Sequence, residues 1–360
     1  MPVSQIDDSA IPVNTPLNTP VQTPVKKLQV TKTPAFIASQ KFASASYGRA
    51  LFQFGHTFGL YVLTIGLMFA SLALPYGVTL LLSLVAAAAY LRLFMIGHDC
   101  SHGSYLPKKW QNSWLGNVIG VLTNTPLHYW GTQHAKHHRS TGNLDKRGDG
   151  DVITRTVEEY AAASTFSRLC YRVYRNPWVL FFFSAPLHFV VLQRLPLGDQ
   201  AKTWSGWASV MGTNLGIALY YGSLIAAFGL QPFLLVYVPV VMLSSLGAVW
   251  LFYVQHQFED AYWHRNDAWT YHDATLQGSS FYDLPRWLHW VSGNIGYHHI
   301  HHLNPKVPNY NLPACYSGQP ALQNARKLGL RESLSTAWLA LWDEQAGRLV
   351  SFASLSSSKT

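Results

Sequence analysis

Nine of the sixteen histidines in this chain of 360 residues fall into three short clusters. The first is His98-Asp99-Cys100-Ser101-His102, the second His134-Ala135-Lys136-His137-His138, the third His298-His299-Ile300-His301-His302. Residues spaced i, i+3 and i+4 share one face of an α-helix. His98 and His102, then His134, His137 and His138, then His298, His301 and His302 fit such faces; His299 points off its face. Neutral imidazole is the commonest metal ligand, and eight imidazoles exceed what one tetrahedral zinc can use. The count fits a two-metal site.

Spacing alone leaves the metal open, because imidazole suits zinc, copper, iron and nickel. Zinc peptidases also pair histidines four apart, but as HExxH with a glutamate base between them. Here Asp99 follows His98, and no glutamate occupies the second or third cluster. An all-histidine shell adds no negative charge and leaves several oxidation states accessible, as oxygen chemistry requires. Nothing points to a nucleophile; Cys100 and Ser101 read as residues packed around the ligands. His56, His188, His264, His272 and His289 read as packed or surface histidines, and His128 precedes the second cluster too closely to be dismissed with them.

The elements that position the clusters are apolar. The chain is 49% hydrophobic and 12% charged, half the charge of an ordinary soluble protein. Phe54–Leu74 and the run from Val78 are separated only by Pro75-Tyr76-Gly77, and Trp207–Leu230 and Phe233–Val254 only by Gln231-Pro232. A span needs about 20 apolar residues, so these read as two helical hairpins. Both short turns lack Lys and Arg. The other flanks are basic, with Lys108, Lys109, Lys136, Arg139, Arg168, Arg172 and Arg175 between the hairpins. By the positive-inside rule the basic segments, and with them all three clusters, face the cytoplasm. The second and fourth spans extend past the bilayer to deliver His98, His102 and His256.

Trp178–Leu192 is apolar but short, with Arg175 and Arg194 near its ends, and reads as interfacial or re-entrant; Trp114–Leu127 is read in the same way. Near the C-terminus Leu334, Trp338, Leu341 and Trp342 recur at helical spacing, which predicts an amphipathic helix. The fold expected is therefore an all-α integral membrane protein, with four transmembrane helices in two hairpins, a cytosolic histidine-rich cap and interfacial helices. Repeated Thr-Pro pairs mark residues 1–35 as a disordered tail, residues 36–353 form a single domain, and residues 354–360 a flexible serine-rich tail. Cys100, Cys170 and Cys315 form no CxxC pair and suit a reducing, cytoplasm-facing protein. The net charge of +9 is scattered around apolar runs and does not predict nucleic-acid binding.

HDCSH, QHAKHH and GYHHIHHLNPKVPNY resemble the three histidine boxes of the membrane fatty acid desaturases. Thr141-Gly142-Asn143-Leu144-Asp145-Lys146-Arg147-Gly148-Asp149-Gly150-Asp151, followed by Thr156-Val157-Glu158-Glu159-Tyr160, looks like their bacterial and plastid-type acyl-lipid branch, with a lean to the Δ12 type. The resemblance runs from about Phe54 to Leu312. It implies two iron ions in a di-iron centre, ligated by His98, His102, His134, His137, His138, His298, His301 and His302, with His256 as a ninth. It also implies O2 as co-substrate, removal of two hydrogens from a long-chain acyl lipid, and a bacterial inner or plastid-type membrane. The family's water-bridging asparagine has no secure match; Asn294 is the nearest. Asp99, Asp145, Asp149 and Asp151 are the acidic residues nearest the boxes, and Glu259 and Asp260 follow His256; one or two of them are expected to orient ligands, the rest to form salt bridges or cap turns.

Electrons must come from outside, because the chain has no GxGxxG fingerprint, iron–sulfur cysteine set or HPGG haem motif. A ferredoxin or a cytochrome b5 is the expected donor, and basic residues around Lys108, Lys109, Lys136 and Arg139 suit an acidic one. Two other readings fit less well. A di-iron hydroxylase or ketolase acting on a lipid, alkane or carotenoid would use the same site with oxygen rebound. A metal transporter or sensor would need ionisable residues within the spans, which hold almost none.

Overall fold

The computed structural model describes residues 33–148 and 150–357; residues 1–32, Asp149 and residues 358–360 lie outside it. Helix α1 (Pro34–Gln40) is followed by a hairpin of α2 (Tyr47–Ala70) and α3 (Gly77–His102). Next come α4 (Lys109–Leu122), α5 (Leu127–Ser140), α6 (Val157–Ala162), α7 (Thr165–Tyr174) and α8 (Ala185–Val190). A second hairpin joins α9 (Trp204–Phe228) to α10 (Leu230–His256) through Gly229, whose φ of 87° closes the turn. The chain ends in α11 (Tyr271–Gln277), α12 (Arg286–Val291), α13 (His298–Leu303), α14 (Leu312–Gly318), α15 (Leu330–Thr336) and α16 (Ser354–Ser357).

The two hairpins cross-pack through α3 and α10, and α3 also buries α2 and α4 against it. At the end away from the histidines, the Tyr76 hydroxyl donates to the Leu235 carbonyl at 2.9 Å and ties the two turns together. Several polar groups inside the bundle find partners, as a water-free interior demands. The Asn124 amide donates to the Tyr90 and Tyr221 hydroxyls at 3.1 and 2.9 Å. Arg92 donates to Thr57 Oγ1 at 3.2 Å and to the Trp290 carbonyl, with its guanidinium 4.4 Å above the Trp290 ring. That contact pins α12 beneath the histidine-bearing end of α3.

Among the described residues, five segments are long and apolar enough to cross a membrane: Tyr47–Ala73, Gly77–His102, Val179–Lys202, Trp204–Phe228 and Leu230–His256. Four were expected. The additional one is the Trp178–Leu192 stretch and its continuation, and it is not a continuous α-helix. A π-helical turn over Val179–Ser184 leads into α8, and two 3-10 turns, Leu192–Arg194 and Gly198–Lys202, follow. Pro186 and Pro196 break the ladder there. The Trp114–Leu127 stretch is α4 and the turn after it, which exposes Trp110 and Trp114 and buries Leu115 and Ile119.

The all-α expectation needs correction in the cap, which holds five short strands. β1 (Arg155–Thr156) pairs parallel to β4 (Leu339–Asp343), which pairs antiparallel to β5 (Arg348–Ser351). β2 (Phe281–Asp283) pairs parallel to β3 (Lys327–Gly329). The amphipathic helix expected over Leu334–Trp342 is thereby corrected as well. α15 exposes Leu334, then the chain turns into β4 and buries Leu341 and Trp342. Helical structure also reaches into both expected tails. Thr33 caps α1 by accepting the Phe36 N–H at 3.3 Å, Pro34 takes its first turn, and Ser354–Ser357 form α16.

Candidate metal centre

The three clusters sit on three helices, and each helix has a local reason to be where it is. α3 runs on beyond its apolar stretch and stops at His102, where Gly103 takes a left-handed φ of 63° and its N–H caps Asp99 and Cys100 carbonyls. α5 starts directly after Pro126 and carries His134, His137 and His138. α13 is only six residues long and carries His298, His301 and His302. His256 is the last residue of α10.

Their imidazoles form two groups. His98, His102, His134, His138 and His301 make one; His137, His256, His298 and His302 make the other, with the ligand atoms of each group within 4.8 Å of one another. In the first, Nε2 of His134 lies 3.0 Å from those of His98 and His138, and His138 Nε2 lies 3.1 Å from that of His301. In the second, His256 Nε2 lies 2.8 Å from that of His298 and 3.1 Å from that of His137, which is 3.2 Å from that of His302. The groups touch where His138 stacks on His302 at 4.1 Å.

These distances ask for a cation. The Gly278 carbonyl can only accept, so His256 Nδ1, 2.9 Å away, carries the proton. His137 Nδ1 likewise faces the Asp151 carboxylate, and His98 Nδ1 faces Asp99 Oδ1 at 3.2 Å. In a neutral ring this leaves Nε2 as a bare lone pair. His137 and His256 then oppose lone pair to lone pair, a repulsion that a metal converts into coordination. Metal–imidazole bonds of about 2.0–2.1 Å place neighbouring nitrogens about 2.9 Å apart at right angles and about 3.3 Å apart in a tetrahedron. The observed spacings fall in that range. His102 Nε2 is buried and has no protein partner among the described residues, although it belongs to the first group.

The environment of five of the rings disfavours their charged form. Desolvation, reinforced by neighbouring histidines, holds His134, His138, His298, His301 and His302 well below the ordinary histidine range. Asp99 also accepts the Asn309 N–H at 2.6 Å, and Asn309 accepts from the Gln53 amide at 2.7 Å, so His98 is braced through α2 and the loop after α13. Asp151 reaches His137 because Gly150, at φ 79°, lets the loop pass close to α5; a Cβ there would lie 3.0 Å from the Gln133 carbonyl.

The other sequence candidates lie elsewhere. His299 uses Nε2 to reach the Leu322 carbonyl at 2.9 Å, and burial pushes it down to about 4. His56 stacks on Trp290, His188 meets the Gln193 amide at 2.9 Å, and His289 accepts from the Leu284 N–H. His264 packs on Tyr262, His272 sits beside Asp273, and His128 is exposed. Asp145 pairs with Arg265, Glu259 with Arg348 and Asp260 with Arg326 rather than with ligands; Asp149 is outside the described residues. Asn294 has a φ of 60° and donates to the Asn309 carbonyl at 3.1 Å, away from the histidines.

Three contributors were not foreseen. Trp130 stacks on His134 at 4.7 Å, and its position four residues earlier on the same helix could have signalled it. The Gly278 carbonyl and Asn309 carry no such signal. One crevice borders the first group, between Phe94, Gly97, His98, Ile119 and Trp130. Another, lined by Tyr90, Phe94, Phe189 and Ser244, includes none of the histidines. A third hollow, of about 280 Å³, touches the second group between Asp151, Phe252 and His256.

Comparison with known proteins agrees with this site. Residues 71–329 match the fatty acid desaturase family. A fatty acid desaturase of Bacillus subtilis (strain 168) is 41% identical over 327 residues, covering 91% of each chain. An sn-1 oleoyl-lipid 12-desaturase of Synechocystis sp. is 28% identical over 221 residues, 61% of this chain and 62% of that one. An sn-1 acyl-lipid omega-3 desaturase (ferredoxin) of Nostoc sp. (strain 36) is 26% identical over 267 residues, 72% of this chain and 71% of that one. This chain belongs to the fatty acid desaturase family and is an oxidoreductase built on membrane-spanning helices.

Proposed function

We propose that the protein is a di-iron desaturase that introduces a cis double bond into a long, lipid-linked acyl chain. The nine histidines of the two groups hold the two iron ions. The observation that carries this is the set of Nε2 atoms facing one another across 2.8–3.2 Å, with the Nδ1 atoms of His98, His137 and His256 turned outward to Asp99, Asp151 and the Gly278 carbonyl. When bound, the iron pair supplies the reduction of O2 that removes two hydrogens from the chain. The protein's own part is to orient His98, His137 and His256 through Asp99, Asp151 and the Gly278 carbonyl, and to keep the site dry. The crevice of Phe94, Gly97, Ile119 and Trp130 beside His98 offers the methylene chain an apolar seat. The similarity to the 12-desaturase of Synechocystis sp. supports a Δ12 preference.

Four crossings account for the geometry best. α3 and α10 both end at the histidines, so α9 begins on that side, and α5 lies there too. The stretch from Thr141 to Thr203 therefore starts and ends on one face, and its single apolar segment dips in and returns. The basic flanks make that face cytoplasmic, in a bacterial inner or plastid-type membrane. Residues 36–353 act as one domain. Reduction by a ferredoxin or a cytochrome b5 agrees with the absence of any redox motif in the chain and with the donor named for the Nostoc relative.

The test is fatty acid methyl ester analysis by gas chromatography and mass spectrometry. The chain is expressed with a ferredoxin in a bacterium that makes only saturated and monounsaturated acids. A new diene, absent in His137→Ala, is the expected result. A hydroxylated acid would replace desaturation by oxygen rebound, and an unchanged profile with iron-loaded protein in the membrane would reject the acyl substrate.

A further inference from the structure

The end of α7 grips two elements that carry ligands of the second group. The Tyr174 hydroxyl accepts the Ile153 N–H at 3.1 Å, and the Tyr171 hydroxyl accepts the Arg155 N–H at 3.0 Å. Arg175, the residue directly after the helix, donates through Nη1 to the Ile153 carbonyl at 3.1 Å and to Thr154 Oγ1 at 3.3 Å. Its Nη2 donates to the Tyr253 hydroxyl at 3.1 Å, to Gln257 Oε1 at 3.0 Å and to the Leu339 carbonyl at 2.6 Å. Tyr253 and Gln257 flank His256 at the end of α10. Ile153 and Thr154 follow Asp151, whose carboxylate faces His137. His137 and His256 in turn oppose each other, Nε2 to Nε2, at 3.1 Å. One guanidinium therefore joins the supports of both rings.

Stability alone does not call for an arginine there. Arg175 is 3% exposed, its acceptors are all neutral oxygens, and its Nε is buried with no partner among the described residues. Burying a charge without a counter-charge is costly. Even a buried ion pair is often no more stabilising than apolar side chains of the same volume. What arginine supplies is a flat, rigid fork that donates in several fixed directions at once. That suits a place where a loop and a helix end must keep one spacing. Thr154 Oγ1 bridges the same two elements by donating to Gln257 Oε1 at 3.3 Å. The first group is braced elsewhere, through Asp99 and Asn309.

We propose that Arg175 is a positioning residue for the second metal. It sets the separation of His137 and His256 by clamping the loop after Asp151 to the last turn of α10, and it leaves the first group untouched. This rests on the reading of the nine histidines as metal ligands. Arg175 acts through Tyr253, Gln257, Ile153 and Thr154. Its contribution is shape rather than charge, so a lysine, with a compact ammonium in place of the fork, does not replace it.

The test is titration of the metal-free full chain in detergent with cobalt(II) against a competing chelator. His301→Ala isolates the second group and His137→Ala the first. Added to His301→Ala, Arg175→Met should weaken the remaining site about 10–100-fold, the range for groups that orient ligands, and change its cobalt absorption bands. Added to His137→Ala, it should alter neither affinity nor bands. Arg175→Lys should behave as Arg175→Met does. Gln257→Leu, which frees only the α10 side, should weaken the second site less and again spare the first; it carries the test if Arg175→Met does not fold. Equal losses at both sites, an unchanged second site, or full rescue by Arg175→Lys would overturn the proposal. A chain that binds no cobalt would remove the ligand reading and this proposal with it. A chain that binds two ions and is indifferent to Arg175 would remove this proposal alone.

Discussion

The group of His98, His102, His134, His138 and His301 and the group of His137, His256, His298 and His302 use the same ligand atom in different surroundings. The first has five rings, an aromatic wall in Trp130, a crevice beside His98, and one partly exposed member in His102. The second has four rings, all buried, and a hollow that reaches Asp151 and His256 from the cap. The first group stands against the bundle interior. The second is held by cap loops, through Asp151 and the Gly278 carbonyl. Chemical identity of ligands therefore does not make two sites equivalent; which groups hold the outer ring nitrogens, and what lies beyond them, sets each apart.

Removing one ring from either group is the harshest test of this division. His301→Ala in the first and His137→Ala in the second should each lower turnover by about a thousandfold or more, since ligands acting as a unit fail as a unit. Iron should fall by one ion per chain while the protein stays in the membrane, as read by elemental analysis of purified samples. Next come the carboxylates: Asp99→Asn and Asp151→Asn should each cost about 10–100-fold in metal affinity. Competition with a chelator would show the loss, and Asp99→Asn should be the worse, because it also frees the Asn309 N–H.

Acid should act on both groups together. The lowered values of His134, His138, His298, His301 and His302 mean that these rings stay neutral when folded, while the unfolded chain takes up protons below about pH 6.5. Stability of the metal-free protein should therefore be constant above about pH 7 and fall as pH drops through 6.5. A thermal melting series in detergent would display the slope; a melting temperature that rises on acidification would reverse the sign. The smallest effect expected is that of Trp130→Leu. Loss of the ring on His134 should weaken the first metal by about three- to tenfold, the range of one aromatic contact, and leave the second unchanged.

Much of the site was legible because it is local. A spacing of three and four residues fixes a helix face, and all three clusters are helical in the structure. The end of the fourth span placed His256 near the clusters, but its reading as a ligand came from the family resemblance, since a lone histidine carries no spacing pattern of its own. Which acidic residue orients a ring was not legible. Asp145 and Asp151 share one loop, and the left-handed turn at Gly150 brings Asp151, not Asp145, to His137. The C-terminal strands were missed for a related reason. Leu341 and Trp342 fit a helical period with Leu334 and Trp338, but pairing with β1, 186 residues earlier (Arg155 to Leu341), and with the adjacent β5 outweighs local periodicity.

The central claim is that the nine histidines hold two iron ions in unlike surroundings. Mössbauer spectroscopy of the purified protein, loaded with enriched iron and accompanied by elemental analysis, tests it most directly. Two irons per chain giving two resolved high-spin ferrous signals on reduction is the expected result, with His137→Ala and His301→Ala each removing a different one. A single metal per chain, zinc in place of iron, or loss of the same signal in both variants would contradict it.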